Sequence, residues 1–277
     1  MNSQFGTDPM ERASHVFYVS SHGTSGDHWF DWFAKGLNAH PEIMIYMGDT
    51  VRSKYLKERT RKERPDLMQF TQFLIDLGEA YTAIGECYAY RSYQLEQLQS
   101  SFGERIRFVN IIRHPYCWLE SYVYWRTINM NMPMGNTDGI DHEWSVTCHD
   151  TFKTLGLTPY SRSDIEIWAS YQGMDILNRM ITDANEGVVN YRIEDIVQNR
   201  AVFNEIAHYL SHGRLHFDDA LLDRIYRDVN TPWRKTGRVV DRPEVLYAAW
   251  PDWKKEAFNA LLSDEVISMF EGFGYRF

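Results

Sequence analysis

Val16, Phe17, Tyr18 and Val19 form a run of β-branched and aromatic residues that stops at Ser20 and Ser21. A small-residue stretch with two glycines follows, and apolar positions then return at helical spacing: Trp29, Phe33 and Leu37, with Trp32 alongside. This pattern predicts a strand, a tight loop and a helix. Further along, 43–46 reads as a short strand entered through Pro41, and 67–77 places Leu67, Phe70, Leu74 and Leu77 on one helical face. Residues 83–86 read as a second buried strand, 93–102 as a crossover helix, and 107–112 as a strand that runs into Arg113. Helical periodicity returns over 165–181, a strand is predicted at 188–191, and a helix runs through Phe203 to Leu210. The segment 257–270 is amphipathic. Strands separated by helical stretches imply parallel βαβ units, hence an α/β fold with a central parallel sheet flanked by helices. In such sheets ligands bind beyond the carboxyl ends of the strands, an edge that the loop at 20–28, Glu86 and Arg113 are expected to share. Residues 127–163 follow neither period and read as a long irregular insertion that folds over that edge.

Composition narrows the function classes. The chain has 277 residues, 44% of them hydrophobic, enough for one large domain spanning 1–277. No apolar run approaches the roughly 20 residues that span a bilayer, and residues 1–14 hold no signal-peptide core, so a cytoplasmic location is expected. Cys87, Cys117 and Cys148 are odd in number and lack CxxC spacing, which points away from a metal site or a disulfide framework. A formal net charge of −9 argues against general nucleic-acid binding. Any anion site must therefore be a local basic pocket. Residues 52–64 hold seven Lys or Arg against two Glu, which reads either as a solvated helix face or as a lid over an acidic ligand.

Two stretches carry chemistry. In the first, Gly23, Thr24, Ser25, Gly26, Asp27, His28 and Trp29 join the first strand to its helix. Such a loop aims backbone N–H groups and the positive end of the helix dipole at one point, which suits phosphate or sulfate. In the second, Arg113-His114-Pro115 forces a turn that starts a helix, and Ser121 falls eight residues on, about two turns later. Arg113 and Ser121 are thereby expected to converge on one anionic group.

Taken in order, these segments resemble the sulfotransferases that use 3′-phosphoadenosine 5′-phosphosulfate (PAPS). Residues 23–29 resemble the family's 5′-phosphosulfate loop, and 113–121 its 3′-phosphate motif. Trp168 followed by Val188-Val189-Asn190-Tyr191-Arg192-Ile193-Glu194-Asp195 is similar to a third segment, and Gly272-Phe273-Gly274-Tyr275 to the family's close. The resemblance implies a P-loop NTPase-like sulfotransferase fold and transfer of a sulfuryl group from PAPS to a hydroxyl or amine of a small-molecule or glycan acceptor. It implies no metal, and leaves 3′-phosphoadenosine 5′-phosphate as product. The loop residues Gly23 to His28 would hold the 5′ side, with Trp29 against the adenine. Arg113 and Ser121 would hold the 3′-phosphate, joined by Arg234 and Lys235 unless those form a surface turn, and Tyr191 belongs to the same binding set. Glu86 is the first choice for the base that takes the acceptor's proton, against the alternative that it only pairs with a nearby Arg. His28 is the rival within the loop, and His22 and His149 are further candidates.

Aligned through Ser25, Gly26 and Trp29, Thr24 stands where the family has lysine and Asp27 where it has a hydroxyl; a register shifted onto Gly23-Thr24-Ser25 restores the hydroxyls but misplaces Trp29 and puts Ser21 at the lysine position. A carboxylate about 4 Å from a phosphate costs about 4 kcal/mol at an effective dielectric near 20, so Asp27 is expected to point away and cap the helix. The alternative function is accordingly a sulfotransferase-like domain that binds a nucleotide or partner without transfer. A nucleotide kinase or NTPase is disfavoured, because the loop lacks Gly-x-x-x-x-Gly-Lys-Ser/Thr.

Overall fold

The structure, a computed structural model, describes residues 15–20, 27–46, 67–78, 81–87, 92–131, 162–179, 188–236 and 242–277. The chain divides into two compact units, 1–21 with 27–112 and 184–236, and 22–26 with 113–183 and 237–277.

In the first unit, strands β1 (His15–Ser20), β2 (Ile43–Tyr46), β3 (Ala83–Cys87), β4 (Ile106–Ile112) and β5 (Val189–Arg192) form one sheet in the order β2-β3-β1-β4-β5. Every pairing is parallel. The α/β class and the parallel sheet read from the sequence are thus present. Helices α1 (Asp27–Leu37), α2 (Leu67–Leu77) and α3 (Ser92–Phe102) intervene between the strands. In the second unit lie α4 (Pro115–Asn131) and α5 (Arg162–Arg179); the first unit resumes with α6 (Ile193–Gln198), α7 (Arg200–Leu210) and α8 (Asp219–Thr236). The second unit ends with α9 (Pro243–Ala249), α10 (Asp252–Leu261) and α11 (Asp264–Gly272).

The centre of β1, Val16 to Val19, is apolar because both its faces are covered, as in parallel sheets generally. Phe17 and Val19 join Ile43, Ile45, Val109 and Ile111 under α1, α7 and α8. Val16 and Tyr18 join Ile84 and Phe108 under α2 and α3. Trp32 sits in the first of these cores, its indole N–H donating to the Ile225 carbonyl at 3.1 Å.

Several boundaries read from the sequence are corrected. The helix expected from Trp29 begins two residues earlier, at Asp27. The irregular segment expected at 127–163 starts later, because α4 runs on to Asn131, and α5 already begins at Arg162. The basic stretch 52–64 and residues 132–161 lie outside the described residues. The amphipathic segment 257–270 is two helices, broken where Ser263 caps α11 through its hydroxyl, which accepts from the Val266 N–H at 3.3 Å. α8 and α9 lay between predicted elements.

The chain end is set by a Schellman turn. Gly274, at φ 85°, sends its N–H to the Glu271 carbonyl at 2.8 Å, and the Tyr275 N–H reaches the Phe270 carbonyl at 3.1 Å. The accompanying ring contact joins Phe270 and Tyr275, with centroids 6.0 Å apart.

Gly85 in β3 is the one strand position where any side chain is excluded. A Cβ there would lie 2.2 Å from the Phe17 carbonyl oxygen and 2.3 Å from its ring. Gly85→Ala is therefore expected to destabilise the fold by about 3 kcal/mol or to abolish it, since the obstruction is backbone. Gly103→Asn, at φ 59° with open space around it, should leave the unfolding free energy within about 0.5 kcal/mol of the parent. Urea unfolding of the two variants checks both.

Candidate functional site

The sheet unit presents its carboxyl edge where β1 ends at Ser20, β3 at Cys87 and β4 at Ile112. Gly23, Thr24, Ser25 and Gly26, with His22 and His149, lie outside the described residues. Asp27, His28 and Trp29 form the first turn of α1; their side chains are likewise outside the described set.

Glu86 lies one residue from the end of β3, in register with Tyr18 of β1, and is 2% exposed. It shares the sheet face of Tyr18, whose hydroxyl is 2.7 Å from Thr71 Oγ1 on α2. Burial holds the Tyr18 phenol above its ordinary range; the Thr71 hydrogen bond opposes the rise and the Glu86 charge adds to it. Glu86 is thus a carboxylate inside the sheet layer rather than a surface group.

On the same face and nearer the edge lies a polar row that periodicity does not reveal. Ser20, Asn110 and Asn190 occupy paired positions on β1, β4 and β5. Asn110 Nδ2 donates to Asn190 Oδ1 at 2.9 Å, and Asn190 Nδ2 to the Val188 carbonyl at 3.3 Å. This relay uses the Asn110 Nδ2 and so fixes the amide, leaving Oδ1 as the acceptor outside the relay. Ser20 Oγ and Asn110 Oδ1 are buried without a hydrogen-bond partner among the described residues, the kind of group that calls for a partner. The signal available in the sequence was an asparagine inside each of two apolar strands.

Tyr191, expected to contact the nucleotide, faces the opposite side of the sheet. Its hydroxyl donates to Glu205 Oε1 on α7 at 3.0 Å, and burial, reinforced by Glu205, raises its pKa. Arg234 and Lys235 lie within α8, so their backbone is helical and not a turn; their side chains are outside the described set.

The helical unit holds the second chemistry-bearing stretch, which follows Ile112 directly along the chain. His114 stands before the first residue of α4 and supplies both of its capping acceptors. Its carbonyl accepts from the Trp118 N–H at 2.9 Å, and its Nδ1 from the Tyr116 N–H at 3.2 Å. Because Nδ1 accepts, the ring proton is on Nε2, which donates to the Arg276 carbonyl at 3.0 Å. Pro115 at the first helical position needs no such partner. Two turns on, Ser121 comes back over the start of the helix, and Arg113 Nη1 donates to its Oγ at 2.6 Å. Both side chains are half-buried. The predicted convergence of Arg113 and Ser121 is therefore realised as a direct contact. The hydroxyl accepts from the guanidinium, which leaves its own proton for a further acceptor such as an anion oxygen.

No family model matches the chain, and no curated protein does. Among solved structures it is similar to a sulfotransferase domain from the curacin biosynthetic pathway, at 13% identity over 96% of this chain and 99% of that one, with a TM-score of 0.45. It is also similar to a sulfotransferase from Alicyclobacillus acidocaldarius, at 10% identity over 82% of this chain and 98% of that one, with a TM-score of 0.39. Among the described residues no helix is long and apolar enough to cross a membrane, and no group of three His, Cys, Asp or Glu is placed to hold a metal ion.

α4 is held in place next to Ser121. Glu120 pairs with the Lys254 ammonium of α10, which is almost fully buried and lies 4.8 Å from the centroid of the Trp250 ring. Two residues on from Glu120, the Tyr122 hydroxyl donates to Gln172 Oε1 on α5 at 2.6 Å. The ion pair is asymmetric, since the Glu120 side chain is 37% exposed and that of Lys254 only 2%. Glu120→Ala leaves a buried ammonium unpaired and is expected to cost on the order of 3 kcal/mol. Lys254→Met leaves a carboxylate that water can reach, and is expected to cost less than half as much. Equal losses in thermal unfolding would show that the two partners are equally solvated in the fold.

Proposed function

We propose that the chain is a sulfotransferase that takes PAPS as donor and passes its sulfuryl group to a hydroxyl or amine. The observation that carries this reading is the 2.6 Å hydrogen bond from Arg113 to Ser121, formed across two turns at the capped start of α4. An anionic oxygen between these groups gains charge-assisted hydrogen bonds from a planar fork and a hydroxyl already held together, so little side-chain freedom is lost on binding. That arrangement fits a terminal phosphate such as the 3′-phosphate of the donor. A triphosphate-hydrolysing enzyme has no need of it. The order of the motifs along the chain supports the same reading, from the small-residue loop after β1 to the segment around β5.

The donor, when bound, supplies a sulfuryl group activated by its mixed phosphate–sulfate anhydride linkage. The chain's part is to hold and orient. In the helical unit Arg113 and Ser121 offer a grip for a terminal phosphate, and in the sheet unit the backbone N–H groups opening α1 offer one for an anionic oxygen. Glu86 takes the proton that the acceptor's hydroxyl or amine releases as it attacks. Thr24 and Asp27 bring no positive charge to the loop, and this supports a second reading in which the nucleotide is bound and no transfer follows.

Calorimetric titration with 3′-phosphoadenosine 5′-phosphate tests the assignment, and absence of heat at millimolar nucleotide sinks both readings. Arg113→Ala is expected to weaken binding by about a hundredfold, the loss of a charge-assisted pair. Unchanged affinity would remove Arg113 from the site. Glu86→Gln is expected to keep the parent affinity and to stop transfer of labelled sulfate from PAPS into a metabolite extract. Turnover in that variant equal to the parent's would assign proton removal elsewhere, and a parent that binds but never transfers upholds the second reading.

A further inference from the structure

The amino edge of the sheet carries a group of basic side chains with no part in that chemistry. His15 opens β1, and Arg107 is the second residue of β4, in register with Phe17. Both belong to the sheet face covered by α7. After α7 the chain turns through Ser211, His212 and Gly213, with His212 at φ 54° and Gly213 at φ 80°. Left-handed backbone costs a non-glycine residue on the order of 1 kcal/mol. Here it lays the His212 ring on His15, with centroids 3.7 Å apart and planes at 23°. Arg107 reaches the same place, its Nη2 donating to His212 Nδ1 at 3.4 Å and its guanidinium carbon 5.0 Å from the centroid of the Tyr209 ring.

The donors outnumber the acceptors. An arginine only donates, so His212 Nδ1 supplies the lone pair and the ring's proton is on Nε2. That Nε2 is buried without a partner among the described residues, as are Arg107 Nε and both ring nitrogens of His15. Three N–H groups are thus withdrawn from water with nothing to receive them: one on each imidazole and one on the guanidinium. Burial, then the charges of Arg214, Arg107 and Arg105, hold the His15 pKa down to about 4. Burial, then His15, Arg107 and Arg214, hold that of His212 at about 3. Among the described residues no carboxylate is one of the charges acting on either ring. Acceptor oxygens and negative charge are what the cluster lacks, and a tetrahedral oxyanion brings both.

We propose that His15, Arg107 and His212, with Arg105 and Arg214 at the rim, form a binding site for a sulfate or phosphate group. It lies at the opposite end of β1 from Ser20, roughly 17 Å away at about 3.3 Å per residue, and rests on no part of the sulfotransferase reading. Binding is coupled to protonation. The groups facing His15 are Arg107 from β4, Arg105 from the turn before it, Arg214 and His212 from the segment after α7; Ala83 is the nearest residue of β3 in register. An anion among these cations lifts His15 back toward its ordinary 6.5, so the complex takes up a proton. Affinity for sulfate, whose own charge is constant, therefore rises as the pH falls below that value.

The test follows the imidazole signals of the full chain, labelled in its histidines, during titration with sodium sulfate at constant ionic strength. The signals of His15 and His212 are expected to shift and saturate at millimolar sulfate, with affinity rising by up to about tenfold per pH unit below about pH 6.5. Arg107→Met is expected to weaken binding by about tenfold or more. Should that variant unfold, Arg214→Gln, at an exposed position, is expected to weaken it severalfold. A parallel titration with glycerol 3-phosphate distinguishes the source: tighter binding than sulfate assigns the site to a phosphorylated ligand, and equal or weaker binding to the free ion. Rings that do not respond to sulfate, or that respond equally to chloride, overturn the site.

Discussion

Everything in the sheet unit depends on β1 being covered on both faces and on both sides. Phe17 and Val19 are buried under α1, α7 and α8, Val16 and Tyr18 under α2 and α3, and β3 and β4 pair along its two edges. The approach of β3 is possible only because Gly85 has no side chain where the Phe17 ring lies. That contact fixes the β1–β3 register, and the register puts Glu86 beside Tyr18. A shift by one residue would turn Glu86 to the other face of the sheet, because side chains alternate. The position of a buried carboxylate near the carboxyl edge is thus decided by a glycine and a phenylalanine.

The two edges of this sheet have opposite chemistry. At the carboxyl edge the polar side chains are acceptors or neutral: Glu86, Ser20 and Asn110, which are buried, and Asn190 beside them. At the amino edge they are donors: His15, Arg107 and His212, each with a buried nitrogen that has no partner among the described residues. Apolar residues of similar size would fill the amino-edge space without that cost. In the helical unit a third set, Arg113 with Ser121, is built differently. There the guanidinium is partnered within the unit, and its helix is anchored by capping at His114 and by the Glu120–Lys254 pair. Preorganisation of that kind favours binding a defined group, and the orphaned donors favour binding whatever brings oxygens.

The strands were legible because β1 carries a continuous apolar run, Val16 to Val19, and β4 is mostly apolar around Arg107 and Asn110, and α2 because four apolar positions recur on one face. The convergence of Arg113 and Ser121 was legible because helical geometry converts a spacing of eight into two turns. Asn110 and Ser20 were not. A single polar residue in a buried strand carries no periodicity, and its meaning depends on which strand is its neighbour, a fact of the β1–β4–β5 order and not of local sequence. The His15–His212 pair was hidden for the same reason, since its members are separated by nearly the whole first unit and meet through a left-handed turn. α8 was passed over because its apolar positions, among them Leu222 and Ile225, are spread among charged residues and become a face only against α1 and α7.

Charge explains why such sites must be compact. With a formal net charge of −9 the chain as a whole repels anions, but at physiological salt charges beyond about 8 Å are largely screened. A guanidinium about 4 Å from a phosphate oxygen is worth about 4 kcal/mol at an effective dielectric near 20. Two or three cations gathered within one screening length therefore outweigh a dispersed excess of carboxylates. Arg105, Arg107 and Arg214 act together on His15 and so satisfy that condition at the amino edge. Arg113 alone gives one such cation at the start of α4. Neither Thr24 nor Asp27 adds a cation to the stretch before α1. In the sheet unit the backbone N–H groups opening α1 carry about half a positive charge between them, so the start of that helix is itself a compact positive feature on an acidic chain.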